Sequence, residues 1–254
     1  MYNEKGAAGS LVMSGLLQYT LMKYFQNFLG ILCAFCLMII FLITSVEAVA
    51  YWTPGYYEKE YTKYNVTADV NMEMDDLLDV THEMMAFLRG DRDNLHVPTV
   101  VGGVEREFFN EREIAHMVDV RNLFLAAIAL RRICALVILL CVGVLFWTRA
   151  DIRRLLPRML CTGTALFFVL TAILAGVIST NFTKYFIVFH EIFFNNDLWI
   201  LDPSTDLLIN IVPEPFFVDT AARIGILFAL VTALLFAVCV WLIRRTPKTG
   251  QAKR

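Results

Sequence analysis

The stretch FLGILCAFCLMIIFLITSV, Phe28–Val46, contains 19 residues and no charged side chain. An α-helix needs about 20 such residues to cross the roughly 30 Å of hydrocarbon in a bilayer. Three further stretches of similar character lie at approximately residues 123–147, 159–180 and 223–243. Hydrophobic residues make up 58% of the 254 positions, which is typical of a polytopic membrane protein. The sequence therefore predicts an all-α membrane protein with four transmembrane helices.

Lysine and arginine are concentrated in two segments that flank these stretches, the short link after the second stretch and the C-terminal tail. The basic residues concerned are Arg149, Arg153, Arg154, Arg158, Arg244, Arg245, Lys248, Lys253 and Arg254. Because cytoplasmic loops carry such an excess, we expect both segments and the N-terminus to lie inside the cell. The long loops at about residues 51–120 and 181–222 then face outward, and residues 1–254 form a single membrane domain.

The two outer loops contain signals for amphipathic and short helices. Apolar residues recur every three or four positions from Met74 to Leu88, and Gly90 follows as a helix stop. Residues 53–65 alternate aromatic and charged side chains, which favours a strand-like or irregular segment, and we expect a loop at residues 91–103.

Capping signals predict where the other helices begin. Asn110 is followed three residues later by Glu113, the spacing of a capping box, so we expect a helix that begins near residue 111 and continues into the second span. Small polar residues are preferred at helix starts. By that preference, the later helices are predicted to be capped by Asn181, by Ser204 or Thr205, and by Asp219.

All six cysteines lie inside the predicted spans: Cys33, Cys36, Cys134, Cys141, Cys161 and Cys239. Because none lies in the outer loops, we expect no disulfide framework. We interpret the Cys-x-x-Cys spacing of the first pair as helix packing rather than redox chemistry or zinc binding.

Two histidines have neighbours that suit acid–base chemistry, and the predicted topology places both on the outer side. His116 lies about one helical turn from Glu113 and Asp119, either of which could hold its imidazole in one tautomer. A neutral imidazole can act as a general base near pH 7. His190 precedes a segment that offers orienting groups or oxyanion donors, namely Asn195, Asn196 and Asp202. A purely structural role as hydrogen-bonded packing residues is the alternative for both histidines.

Other common catalytic arrangements are not found. Neither His-Glu pair continues into the HExxH zinc motif, because Ala86 stands four residues after His82 and Phe194 four residues after His190. No serine or cysteine lies beside the histidines in a nucleophile setting, and there is no phosphate-binding glycine loop or dinucleotide motif. We expect no metal, no cofactor and no nucleic-acid partner.

The segments FNEREIAHMVDV, residues 109–120, and FHEIFFNNDLWILDPSTDLLINIVPEPFF, residues 189–217, resemble the lipoprotein intramolecular transacylase (Lit) family of bacterial membrane proteins. The resemblance covers about residues 28–243. It implies four spans, two outer loops and catalysis by His116 and His190. His190 is our choice of general base and His116 our choice for oxyanion stabilisation or proton return to the glycerol oxygen, and the two roles could be exchanged. It also implies residues that bind or orient the substrate or its loop: Asp119, Asn196, Trp199, Asp202 and Asp206. Glu113 and Asn195 are further orienting candidates from their positions beside the histidines.

The resemblance also implies a reaction and a location. Such an enzyme in the bacterial cell membrane would move the sn-2 acyl chain of a lipoprotein's S-diacylglyceryl cysteine to the α-amino group of that cysteine. The partners would be diacylglyceryl-modified lipoproteins and membrane lipid, with the active site on the extracytoplasmic side. Because the substrate's own amine attacks, no enzyme nucleophile is required. Two alternatives stay open: a non-catalytic membrane scaffold, and a lipid ester hydrolase that uses the same histidines.

Overall fold

The computed structural model of the protein describes the backbone of residues 4–246 and the side chains of residues 13–246. Within these residues, nine α-helices and one β-hairpin follow in the order α1 (Glu4–Tyr51), α2 (Tyr56–Tyr64), α3 (Val66–Val70), α4 (Met74–Arg89), β1 (Pro98–Val101), β2 (Val104–Glu107), α5 (Glu111–Trp147), α6 (Ile152–Thr180), α7 (Phe182–Phe193), α8 (Leu208–Ile211) and α9 (Glu214–Arg245). The described chain forms two compact units. The first runs to Phe41 and includes Ile133–Thr171 and the chain from Ala229 onward, and the second comprises Leu42–Arg132 and Ala172–Phe228.

Four of the described helices are long and apolar enough to cross a bilayer: α1 from Met13, α5, α6 and α9. Each of the four predicted spans lies inside one of them, so the prediction of a four-span, mainly α-helical membrane protein is confirmed. The inside location of both termini stays a prediction. Three of the basic residues used for it, Lys248, Lys253 and Arg254, lie outside the described residues.

Small residues in the first unit allow α1 and α6 to approach each other closely. A Cβ atom built on Gly163 would overlap the Cβ of Ala34, which is fully buried. Such close approach is the usual role of small residues between membrane helices. The same unit packs α1 against α5 through a buried cluster that contains Leu29, Cys33, Cys141 and Leu145. The six cysteines are free thiols.

The second unit has a core built from the short helices between α1 and α5. Helix α4 buries the face that its apolar spacing predicts, including Leu77, Thr81 and Met84. It ends at Gly90 with a φ of 87°, a left-handed conformation that glycine adopts without strain. The prediction of an amphipathic helix with a glycine stop is therefore confirmed. Its apolar face packs into a protein core that includes Tyr61, Phe87, Phe108 and Phe109.

Two predictions for this part of the chain were wrong. Residues 56–64 form helix α2, whose buried residues Tyr56, Glu60 and Tyr61 follow a helical period. Within the expected loop at residues 91–103, β1 begins and pairs antiparallel with β2. Gly102 and Gly103 make the turn with φ values of 61° and 78°. Positive φ at both central positions is the geometry of a two-residue type I′ hairpin, and a Gly-Gly pair is its usual signal.

The capping signals gave two correct helix starts. The Glu113 carboxylate accepts a hydrogen bond from the Asn110 backbone N–H at 2.7 Å, and the Asn110 side-chain oxygen accepts one from the Glu113 N–H at 3.0 Å. This reciprocal pair is the predicted capping box, and α5 begins at the next residue after Asn110. Asn181 caps α7 by accepting a hydrogen bond from the Lys184 N–H at 3.0 Å.

The other two capping predictions were wrong. Leu207 occupies the N-cap position of α8 without a side-chain cap, and the Ser204 hydroxyl donates to Asp202 instead. Helix α9 begins at Glu214, five residues before Asp219, because the Pro213 carbonyl already accepts the Phe216 N–H. The Asp219 carboxylate therefore serves another purpose: it pairs with Lys63 and accepts a hydrogen bond from the Tyr64 hydroxyl at 2.7 Å, which attaches α2 to α9.

The two arginines of the second span have different environments. Arg131 forms an ion pair with Glu47, with a second contact of 3.2 Å between Nη2 and Oε1. Arg132 is exposed. Because Glu47 is only 8% exposed, Arg131 compensates a carboxylate that would otherwise be buried alone.

Candidate active site

His116 and His190 come together in the second unit, although 74 residues separate them in the sequence. His116 lies in the second turn of α5, which the capping box fixes, and His190 lies in the last turn of α7. Their ring centroids are 6.1 Å apart, and each residue is 7% exposed. The structure therefore pairs the two histidines that the sequence analysis selected.

The imidazole of His190 is held in one orientation. Its Nδ1 lies 2.7 Å from the Phe186 carbonyl oxygen, and because a carbonyl only accepts, Nδ1 must carry the hydrogen. In the neutral ring, Nε2 is then the atom with a free lone pair. Burial lowers the pKa of His190, and the hydrogen bond to Phe186 opposes this shift only partly. The environment thus favours a neutral imidazole that can accept a proton at Nε2.

Aromatic side chains surround His190. Trp199 stacks on its imidazole with ring centroids 4.9 Å apart and an interplanar angle of 29°. Phe186 approaches edge-on at 4.4 Å, and Phe194 contacts the rings of both His190 and His116. These contacts cover the faces of the ring with apolar side chains.

His116 has a buried nitrogen without a partner: among the described residues, none forms a hydrogen bond with its Nδ1. The sequence favoured Glu113 or Asp119 as the group that fixes this imidazole. In the structure, the Glu113 carboxylate binds backbone N–H groups and the Asp119 carboxylate accepts from Asn196. A buried polar atom without a partner is costly in a folded protein, so the Nδ1 atom of His116 is a candidate for a hydrogen bond that the described residues do not supply.

A chain of hydrogen bonds positions Trp199 over His190. The Asn196 amide donates to the Asp119 carboxylate at 2.8 Å, and the Trp199 indole N–H donates to the Asn196 carbonyl at 3.0 Å. Asp119 therefore acts on the segment that carries Trp199 rather than on the ring of His116. Asn195, the neighbouring carboxamide, is exposed.

Buried carboxylates attach the segment between α7 and α8 to the start of α5. Glu113 accepts the Leu208 N–H at 2.6 Å, and Asp206 accepts the Asn110 side-chain N–H at 2.8 Å and the Asp202 N–H at 2.7 Å. Burial alone would raise the pKa of Asp206, but these hydrogen bonds outweigh it and the pKa is lowered.

Asp202 has a local role. Its carboxylate accepts the Ser204 N–H at 2.9 Å and the Ser204 hydroxyl at 2.7 Å, and these two hydrogen bonds lower the pKa of Asp202. The acids that the sequence analysis selected are thus mainly groups that fix the backbone beside the histidines.

Arg112 is a neighbour of the site that the sequence analysis did not select. Its guanidinium donates to the Asp197 carbonyl and lies 3.6 Å from the Asp197 carboxylate. It stands four residues before His116, one turn along the same face of α5, and that spacing was the available signal. The segment that carries Trp199 is therefore attached to α5 at two positions, by this contact at Arg112 and by the hydrogen bond between Asn196 and Asp119.

Comparison with known families gives a match over most of the chain. The sequence model of the family described as lipoprotein intramolecular transacylase Lit matches residues 31–217. No curated protein matches the chain in sequence.

Three solved structures of one protein from Bacillus cereus have a similar fold. An in meso structure of the membrane integral lipoprotein intramolecular transacylase Lit from Bacillus cereus is 20% identical in sequence, covers 88% of this chain and 98% of its own, and has a TM-score of 0.72. Structures of two variants of that protein, in which a histidine is replaced by alanine or by arginine, cover 90% and 91% of this chain and 98% and 97% of their own, with TM-scores of 0.72 and 0.73. The fold of this chain is therefore that of a known membrane protein.

Proposed function

Because the chain belongs to the lipoprotein intramolecular transacylase (Lit) family, we propose that it moves the sn-2 acyl chain of an S-diacylglyceryl N-terminal cysteine to the α-amino group of the same cysteine. The product is an N-acyl, S-monoacylglyceryl lipoprotein. The ester and the amine belong to one molecule, so the attacking group is present at high effective concentration. The protein must bend the substrate, move a proton and stabilise the tetrahedral oxyanion.

The observation that carries this proposal is the buried pair of His116 and His190. The two ring centroids are only 6.1 Å apart, so one substrate molecule bound between the imidazoles lies close to both. The free Nε2 lone pair of His190 makes this residue the general base, and the unpartnered buried nitrogen of His116 makes it the second participant.

The proposed reaction is an attack of the amine on the ester, followed by cleavage of the ester bond. The substrate's amine nitrogen bonds to the ester carbonyl carbon while Nε2 of His190 accepts a proton from that nitrogen. His116 stabilises the resulting oxyanion or carries the proton toward the glycerol oxygen. The bond between the carbonyl carbon and the sn-2 oxygen breaks, and that oxygen receives the proton. An ester and an amine become an amide and a hydroxyl, and both histidines return to their starting state.

The remaining site residues position this pair. Asp119 and Asn196 hold Trp199 against His190. Three further acids attach or shape the same segment: Glu113, Asp202 and Asp206. The exposed amide of Asn195 is available to bind the glyceryl group, and the phenylalanines around His190 suit the acyl chains.

We further propose that the protein is a single membrane domain of the bacterial cell membrane, with both termini inside and the histidine pair on the extracytoplasmic side. This orientation is supported by Arg149, which lies between α5 and α6, and by the arginines in the first turns of α6. It agrees with the reaction, because lipoproteins are displayed on that side of the membrane.

Mass spectrometry of the N-terminal lipopeptide of one lipoprotein tests the proposal, in bacteria that lack N-acylation and express this protein or a variant. Transfer within one molecule leaves the total mass unchanged, so fragmentation must show which atom carries each chain. We expect one chain on nitrogen and one on glycerol, and loss of this product with His116→Ala and His190→Ala. His82→Ala is the matched control, because His82 is an exposed histidine of α4.

The same spectra separate the alternatives. An ester hydrolase loses the acyl chain, so the lipopeptide mass falls, and a non-catalytic scaffold leaves the diacylglyceryl cysteine unchanged. With purified protein, metal chelators are expected to leave activity unaffected. Chelator inhibition that zinc reverses would contradict the metal-free reaction.

A further inference from the structure

Helix α7 has an apolar face on the side away from His190. At about 100° per residue, Val188 and Ile192 lie nearly opposite His190 on the helix. Ile192 is 71% exposed and its neighbour Phe193 is 53% exposed. The charged residues Lys184 and Glu191 share one narrow stripe beside this face, because they are seven residues, or two turns, apart. An exposed apolar face with a charged border suits a membrane interface, because the apolar side chains can enter the acyl boundary while the charged ones stay among the headgroups.

The apolar face of α7 follows directly from a membrane-spanning helix. Helix α6 is a candidate span that ends at Thr180, and Asn181 alone separates it from α7. The last turns of α6 expose Leu174 and Val177, as expected for side chains in contact with lipid. Helix α7, which carries the exposed apolar face, thus begins two residues after the end of a helix whose last turns expose apolar side chains.

The opposite side of α7 is attached to the start of another span. The Thr183 hydroxyl donates to the Glu214 carboxylate at 2.7 Å, and the rings of Phe186 and Phe217 are 5.1 Å apart. Glu214 is the first residue of α9, a candidate span. Helix α7 is therefore fixed beside two points at which the chain enters or leaves the bilayer, and its inner side is already occupied by protein.

We propose that the face formed by Tyr185, Val188, Phe189 and Ile192 of α7 is seated among the acyl chains at the surface of one bilayer leaflet. The partner is the lipid of the membrane itself. A helix with its side chains is about 10–12 Å in diameter, so a half-immersed α7 holds His190 about one helix radius above the chains, at the level of the glycerol ester groups. This last consequence rests on the proposed function, whereas the seating in lipid does not.

Photo-crosslinking tests the seating without any lipoprotein substrate. The residue p-benzoyl-L-phenylalanine is placed at Ile192 in the full chain, and the protein is reconstituted in nanodiscs of dioleoyl phosphatidylglycerol and irradiated. Intact-protein mass spectrometry is expected to show a gain of one lipid mass. The matched control carries the same residue at Val104 on β2, which is 64% exposed. The next three residues of this strand are all charged and exposed. We expect no lipid adduct at that position.

Two outcomes would overturn the proposal: no lipid adduct at Ile192, or a product with the mass of two protein chains, which would identify a second copy as the partner. If the Ile192 variant does not elute as a single species, the substitution at Phe189, which belongs to the same face and is 40% exposed, provides the same test. Because the readout is a lipid adduct, a protein that fails to transfer acyl chains can still confirm the seating. An active protein that forms no adduct refutes the seating alone.

Discussion

Replacing Glu113 with alanine is predicted to loosen the segment between α7 and α8 and to lower activity through it. Glu113 is 1% exposed, and its two oxygens accept the backbone N–H groups of Asn110 at 2.7 Å and Leu208 at 2.6 Å. A buried donor that loses its acceptor costs about 1–3 kcal/mol. Two such donors make the expected loss of folding free energy about 2–6 kcal/mol.

The assay is thermal unfolding in detergent micelles together with acyl transfer. In a chain of this size, about 1 kcal/mol corresponds to a change in Tm of about 2–4 °C. We therefore expect Glu113→Ala to lower Tm by at least about 4 °C. Glu113→Gln keeps one acceptor oxygen and should lose less. Activity should fall with Tm, because the same segment carries Trp199 and Asn196 to the histidine pair.

Glu111→Ala is the matched control, because it removes a charge from the same first turn of α5 at an exposed position. Loss of a charge at a helix start costs only about 0.3–1 kcal/mol. Equal changes of Tm in the Glu111 and Glu113 variants would refute the reasoning, because the two buried hydrogen bonds would then contribute nothing measurable.

Three further predictions concern packing, charge and protonation. Gly163→Ala should destabilise the protein by about 1–3 kcal/mol, because its new methyl group overlaps α1; Gly143→Ala, with open space around the site, should not, and unfolding in detergent compares the two. Arg131→Ala should cost about 3 kcal/mol because it leaves a buried carboxylate unpaired. Arg132→Ala removes an exposed charge and should cost little, so equal losses of unfolding free energy would contradict the role of the ion pair. The pKa of His190 is lowered by burial, so its imidazole should be mostly neutral at pH 6.5, where an ordinary histidine is half protonated. Histidine-ring NMR signals followed against pH check this, and a protonation midpoint at or above pH 6.5 would contradict it.

Local signals predicted much of the fold. The four spans follow from apolar length, α4 from its spacing and glycine stop, and the start of α5 from the capping box between Asn110 and Glu113. Each of these depends on residues within a few turns of one another. The hairpin was available from Gly102 and Gly103 but was not predicted, because strand signals around it are short.

Tertiary contacts set the limit of the sequence analysis. Helix α2 is stabilised by contacts with α9, such as the 2.7 Å contact between Glu60 and Arg223, which no local pattern reveals. The structure brings His116 and His190 together, and their catalytic role stays a prediction. The partners of Asp119 and Glu113 depend on a segment that lies more than 70 residues away. The roles of those acids therefore required the structure.

A crossover experiment tests the central claim, acyl transfer within one molecule, most directly. Two diacylglyceryl lipopeptides are mixed in equal amounts and incubated with the purified protein: one has ¹³C-labelled acyl chains on a light peptide, and the other has unlabelled chains on a heavier peptide. Fragmentation by mass spectrometry then shows which chain each N-terminal nitrogen carries. We predict that labelled chains are found on light peptides only, and that the transfer disappears with His190→Ala. Labelled chains on the nitrogen of the heavier peptide would contradict the intramolecular reaction.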